Sequence, residues 1–291
     1  MSMSVSPAFI AEFKDKALPF LFAPHSGGAK DFASWLVEAL LLQFPEKDGP
    51  LAGMLAGPAT GHATALHAGR NMALPDPESA YRMMSLINDK DVLYKAQFWE
   101  LSQMGSEVAK LQQAGQRLAN IETENIKPAL QEFISQYNNW IRSFEADWSS
   151  SGLLGGTQAA QISRYELEQS VCNIFIGASH GLRGIGSLGV AVGPGGVLSL
   201  DEVKLDTLLL TNAKGAEGAI REFGAHFAKS AELLNNSDNF IPRQLDNLNR
   251  AIHYIADNHA AWQAEFGMGD TAQPANHVAK ALAAYQQAGG I

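Results

Sequence analysis

Residues 93–121 read LYKAQFWELSQMGSEVAKLQQAGQRLANI. Within them Leu101, Met104, Val108, Leu111, Gly115 and Leu118 recur three and four apart, an apolar seam interrupted once by glycine. That period belongs to a helix packing one face against a partner helix. The spacing predicts a long helix from about Leu93 to Ile121, within a coil over 90–121. A second seam lies near the other end of the chain: Leu245, Leu248, Ile252, Ile255, His259, Trp262 and Phe266, over a coil at 241–266. Two heptad stretches separated by other material are expected to pair as an antiparallel coiled coil. The chain therefore reads as mainly α, built from long helices with coiled-coil terminal parts.

Between the seams the pattern changes. Lys127-Pro128 should break or restart the helix. Ile126, Leu130, Phe133, Tyr137, Trp140, Phe144 and Trp148 then share one helical face, expected to be core. The serines and glycines of 149–156 end that segment, and a third helix is predicted over 158–182, completing a helical core at 126–182. Gly184 to Gly196 holds six glycines in thirteen residues. Short apolar runs on either side of Gly193-Pro194-Gly195-Gly196 read as a β-hairpin over 187–200. Ser199 or Asp201 should cap the helix that follows, over 201–234. A tail at 267–291 adds a short helix near Val278 to Tyr285.

The first 80 residues differ, being rich in proline, glycine and alanine and carrying His25, His62 and His67. They are expected to form a separate N-terminal module or arm, with a helix from Phe32 to Phe44 capped by Asp31. Asp76-Pro77-Glu78 should open a helix, with proline in the tolerated first turn, leading into a helical domain over 81–291.

With 291 residues, 46% of them hydrophobic and 18% charged, the chain can bury a sizeable core. Its net charge of -9 disfavours a nucleic-acid partner. No apolar run approaches the roughly 18–20 residues of a membrane span. The N-terminus carries no ordinary secretory signal, so any export is expected to proceed without a cleaved one. The lone Cys172 forms no intramolecular disulfide, and its apolar setting reads as a buried small hydrophobe.

These segments also carry a resemblance. Gly186-Ser187-Leu188-Gly189-Val190, followed by Gly195 to Leu209, resembles the C-terminal signature of the flagellar filament-cap (hook-associated) family. Phe133-Ile134-Ser135-Gln136-Tyr137-Asn138 is similar to that family's Phe-Val-x-x-Tyr-Asn segment. Gly152-Leu153-Leu154-Gly155-Gly156 is similar to its leucine-leucine-glycine-aspartate loop, with Gly156 in place of Asp. Tyr94 to Leu118 and Ile241 to Ile255 are similar to its first and last coils. The pieces fall in the family's order over about residues 85–265. Two parts of the family pattern are missing: the large β-rich insertion after the first coil, and the usual glycine-serine-glycine-leucine-aspartate start.

The resemblance implies a non-enzymatic, homo-oligomeric assembly protein at the tip of an extracellular filament. Its partners would be itself, flagellin or other axial proteins, and an export chaperone. Leu101, Met104, Val108, Leu111 and Leu118, with Leu245, Leu248, Ile252, Ile255 and Trp262, would be its interaction seams. The hairpin and following helix would form a head.

Readings for chemistry are weaker. His62 and His67 lie five apart and His253 and His259 six apart, off the spacing that puts two ligands on one helical face. Gly193-Pro194-Gly195-Gly196 lacks the lysine and hydroxyl of a phosphate loop. His25-Ser26-Gly27-Gly28 has no nucleophile elbow to accompany it. No catalytic, metal or cofactor residues are expected. Two other classes remain open: a secreted α-helical effector of the needle-tip or pore-forming kind, with the glycine-rich stretch as a membrane tongue, and a helical enzyme using His226 or His253 to hold a cofactor.

Overall fold

The computed structural model describes residues 77–289. The N-terminal module, its helix at Phe32–Phe44, and His25, His62 and His67 lie outside the described residues. The described part is mainly α, with six helices and one two-stranded antiparallel sheet.

Helix α1 runs unbroken over Pro77–Ala119, about 65 Å at 1.5 Å per residue. The sequence reading placed a separate opening helix before Leu93. No proline or glycine interrupts residues 78–104, and Asp91 and Lys95 pair one turn apart at 2.6 Å, so the helix continues. Helix α2 covers Ile126–Phe144 after a single 3-10 turn at Thr123–Asn125. The helix breaks after Ala119 and restarts at Ile126, as Lys127-Pro128 suggested, with Pro128 in the first turn of α2, where its missing N–H has no helical acceptor.

Helix α3 covers Gln158–Cys172 and stops well short of the predicted Leu182. The side chain of Asn173 accepts a hydrogen bond from the Phe175 N–H at 3.0 Å, offering the backbone a turn in place of another helical bond. Gly177 and Gly181 then take left-handed conformations on either side of a 3-10 turn.

Strands β1 (Val190–Val192) and β2 (Leu198–Leu200) pair antiparallel, with Val190 opposite Leu200 and Val192 opposite Leu198. A hairpin this short is marginal alone. Asn138 of α2 holds its outer edge: the buried amide donates to the Leu198 carbonyl at 2.8 Å and accepts from the Leu198 N–H at 2.7 Å. One side chain thus stands in for a third strand.

Helix α4 covers Glu202–Leu234, capped by Asp201, whose carboxylate accepts from the Lys204 N–H at 3.0 Å. It is bent at Asn212, where the backbone leaves helical geometry and the side chain accepts from the Gly215 N–H, restarting the helix. Helix α5 covers Phe240–Phe266 and α6 covers Asn276–Gln287.

The second half of α4 and all of α5 return along α1 in the opposite direction, end to end. Arg221 donates to the Ile121 carbonyl, Asn235 to the Gly105 carbonyl, and His259 meets Asn88 at 3.1 Å. The backbones of α1 and α4 touch at Gly115 and Gly224. A Cβ on Gly224 would lie 2.5 Å from the Ala119 nitrogen and 2.6 Å from the Gly115 carbonyl oxygen. The glycine inside the seam is therefore a crossing point rather than a flaw in the pattern.

One large core joins this limb to the hairpin end. Phe133 sits edge-on to Phe223 and Phe227, with centroids at 5.2 and 4.9 Å. Tyr137, Trp140, Phe144 and Trp148 are buried beside it, as the aromatic row predicts. A separate small cluster, Ala96, Leu153 and Ala281 with Leu93, Trp99 and Val278 against it, seats α6 on α1.

Candidate assembly surface

Helix periodicity places Leu101, Met104, Val108, Leu111 and Leu118 on one face of α1, and all five are buried in the main core. The antiparallel pairing of the two terminal seams holds only in part. Residues 88–105 of α1 run beside α5, whereas residues 105–121 run beside α4. Val108, Leu111 and Leu118 therefore lie along the α4 stretch. On α5, Leu248, Ile252 and Ile255 are buried, Leu245 is half-buried in the main core, and Trp262 is half-buried with its ring against Tyr254. Both seams are thus largely consumed inside one chain and leave little apolar surface for another.

Exposed apolar groups lie elsewhere. Val203 is 77% exposed and Leu210 is 89% exposed, seven residues apart on the first half of α4. Leu205, on another face of the same segment, is fully buried, and Leu208 and Leu209 are partly buried against the core. Val192 at the end of β1 is also exposed. Lys127 of α2 bridges Glu202 at 3.0 Å and Asp206 at 2.9 Å, bracing this segment from the side. The Lys204 ammonium donates to the Gly186 carbonyl, tying the helix start to the glycine loop. The outcome is a platform anchored at its start, with its valine and leucine in water. A second exposed site is the loop after α3, where Phe175 is 77% exposed beside Ile174.

Cys172, at the end of α3, is exposed, against the expectation of a buried hydrophobe. Its place in the helix turns it away from the buried face that carries Leu167, Ser170 and Val171. His226 and His253 are both exposed, and His253 is engaged with the Asn249 carbonyl at 2.9 Å. Among the described residues no three histidine, cysteine or carboxylate side chains come together as a metal set, and no helix is long and apolar enough to cross a membrane. A groove of about 590 Å³ runs between α1 and α2, with a floor of Ala114, Ile121, Ala129 and Phe133 and a rim that includes Arg117 and Glu132.

One titratable pair escaped sequence reading. Glu100 of α1 and Asp147, in the turns after α2, are neighbouring carboxyls whose charges act on each other. Burial first, then the Asp147 charge, push Glu100 up to about 7, with Lys280 opposing. Burial also raises Asp147, while His277, the Leu153 backbone and Glu100 pull the other way. Neither carboxylate belongs to a motif, and no periodicity brings them together.

These features define an antiparallel helical limb joined to a hairpin-bearing end with apolar side chains in water. The chain matches no family model, no curated protein and no solved structure.

Proposed function

We propose that this chain is a structural assembly protein of the flagellar filament-cap type, acting outside the cell at a filament tip and promoting flagellin assembly without making or breaking bonds. The exposed pair Val203 and Leu210, on a helix otherwise fixed by its cap and by Lys127, is the observation that carries this reading. A segment held this firmly does not collapse to hide its apolar groups, so a partner surface is the natural cover for them. The segment lies within the stretch, 186–209, on which the family resemblance rests. Since the seams are used within the chain, self-association and contact with axial proteins fall to this platform in place of the seams. A ring would require the contact to be heterologous and to close.

Deletion of the gene in its host tests the reading. Short or absent filaments with unassembled flagellin in the medium are the expected result, and normal filaments and motility would remove the cap role. A chromosomal Leu210→Asp variant sharpens the test, because it should reproduce the deletion while the purified protein keeps its fold.

A second reading, a secreted α-helical effector, draws on Ile174 and Phe175, two bulky apolar residues exposed in one loop. Binding to lipid vesicles that is lost in Phe175→Ser would favour it over the cap.

A further inference from the structure

We propose that the chain associates head to tail with further copies of itself: the Ile174–Phe175 loop of one copy seats on the Val203 and Leu210 platform of the next. This contact deepens the platform's proposed self-association, on which it rests, and stands whether or not the assembly caps a filament.

The two apolar patches belong to one chain but lie at different stations of α4. Val203 and Leu210 come before the bend at Asn212. The loop after α3 is bound to the stretch beyond that bend. The Gly177 N–H donates to the Glu222 carboxylate at 2.9 Å, and a Cβ on Gly177 would lie 2.9 Å from that of Ala219. Neither patch covers the other, since Ile174, Phe175, Val203 and Leu210 are 62%, 77%, 77% and 89% exposed. The loop is also preformed. Asn173 accepts from the Phe175 N–H, and the Gly184 N–H donates to the carbonyl of the buried Ile176 at 2.8 Å. Ile174 and Phe175 are thereby held out, and little freedom is lost when they meet a partner. Two anchored apolar patches that stay uncovered within one chain can cover each other between chains. Contact between two different patches is heterologous, so it repeats from copy to copy.

Charge favours this pairing over each patch meeting its own counterpart. On the platform, Asp201, Glu202 and Asp206 outnumber Lys127 and Lys204. The Glu202 and Asp206 side chains are each still 52% exposed beside Lys127. Residues 173–184 carry the exposed Arg183 and His180 and no acidic residue. The carboxylate that faces them from α4, Glu222, is already engaged by the Gly177 N–H. A two-fold pairing of platforms would bring Asp206, which lies between Val203 and Leu210 in the helix, towards its own copy, and like charges opposed across a contact weaken it. Seating the loop on the platform sets Arg183 and His180 against carboxylates.

All four apolar side chains are exposed, so Phe175→Asp and Leu210→Asp should keep the fold by circular dichroism. Sedimentation of the full natural chain over a concentration series should show species larger than a dimer, and each variant alone should stay monomeric. Mixed in equal amounts, the two variants should form a dimer and nothing larger, because each supplies the half that the other lacks. A natural chain that stays monomeric throughout would overturn the proposal. So would either variant still associating by itself, or a mixture that remains monomeric. A monomeric natural chain that floats with lipid vesicles would give the loop to a membrane instead. The readout is mass in solution, so normal filaments after gene deletion would remove the cap role and leave this contact standing.

Discussion

Helix α1 makes two contacts of opposite character. Near its C-terminal end it crosses α4 with backbone against backbone at Gly115 and Gly224, beneath a core of phenylalanine and tryptophan. Near its middle it carries α6 on a small cluster of Leu93, Ala96, Trp99, Val278 and Ala281 and on a Phe98–Tyr285 ring contact at 6.0 Å. The first contact tolerates no change of volume and fixes the fold. The second rests on side chains alone, in a cluster separate from the main one. One helix thus holds a backbone crossing and a side-chain joint.

The comparison breaks most severely at the crossing. Gly224→Leu has no space to enter, since even a Cβ meets backbone at 2.5 Å, and the two helices must separate. Loss of cooperative folding is expected, visible as a shallow, early thermal transition by circular dichroism. Phe133→Ala, beside the crossing, should cost about 3–5 kcal/mol by removing a fully buried ring. Chemical denaturation gives that figure directly.

A polar version of the same test is Asn138→Ala. It leaves both backbone groups of Leu198 without their partner, at about 1–3 kcal/mol for each buried group. The hairpin should exchange its amides faster while α1 and α4 remain protected. If hairpin and core exchange together, the head is not a separate cooperative unit.

At the weaker joint, Ala281→Asp places a charge in the small cluster. It should release α6 to proteolysis while lowering the main transition by no more than about 1–2 kcal/mol. A large fall in the midpoint would mean that α6 belongs to the main core. The smallest effect belongs to Asp201→Ala, loss of one cap at about 1 kcal/mol, which sharpens the comparison by giving the scale of a single local anchor.

Much of this architecture was legible in the chain. The Gly193-Pro194-Gly195-Gly196 turn, the flanking apolar runs and the Asp201 cap located the hairpin and the start of α4, because each is a local preference of a few neighbouring residues. The heptads located α1 and α5, and the aromatic row was rightly read as core. Other features were not legible. The end of α3 depends on a turn at Asn173 that competes with a helix continuing towards Leu182. Cys172 lies off the buried face of α3, which its apolar neighbours Val171, Ile174 and Phe175 in sequence did not reveal. The raised Glu100 carboxyl depends on Asp147, a residue that only the folded chain brings near it.

The sequence by itself determined the class of fold and the place of each helix, since periodicity, capping and glycine turns act over a few residues. It also marked Leu101 to Leu118 and Leu245 to Ile255 as faces that must be covered. What covers them was decided by the tertiary structure. An apolar stripe states that burial is favourable without naming the partner, and α4 was as acceptable a partner as α5 for the C-terminal half of α1. The close approach at Gly115 and Gly224 settled the choice, because only two glycines facing each other allow the backbones to meet there. With the seams satisfied inside the chain, Val203 and Leu210 were left in water.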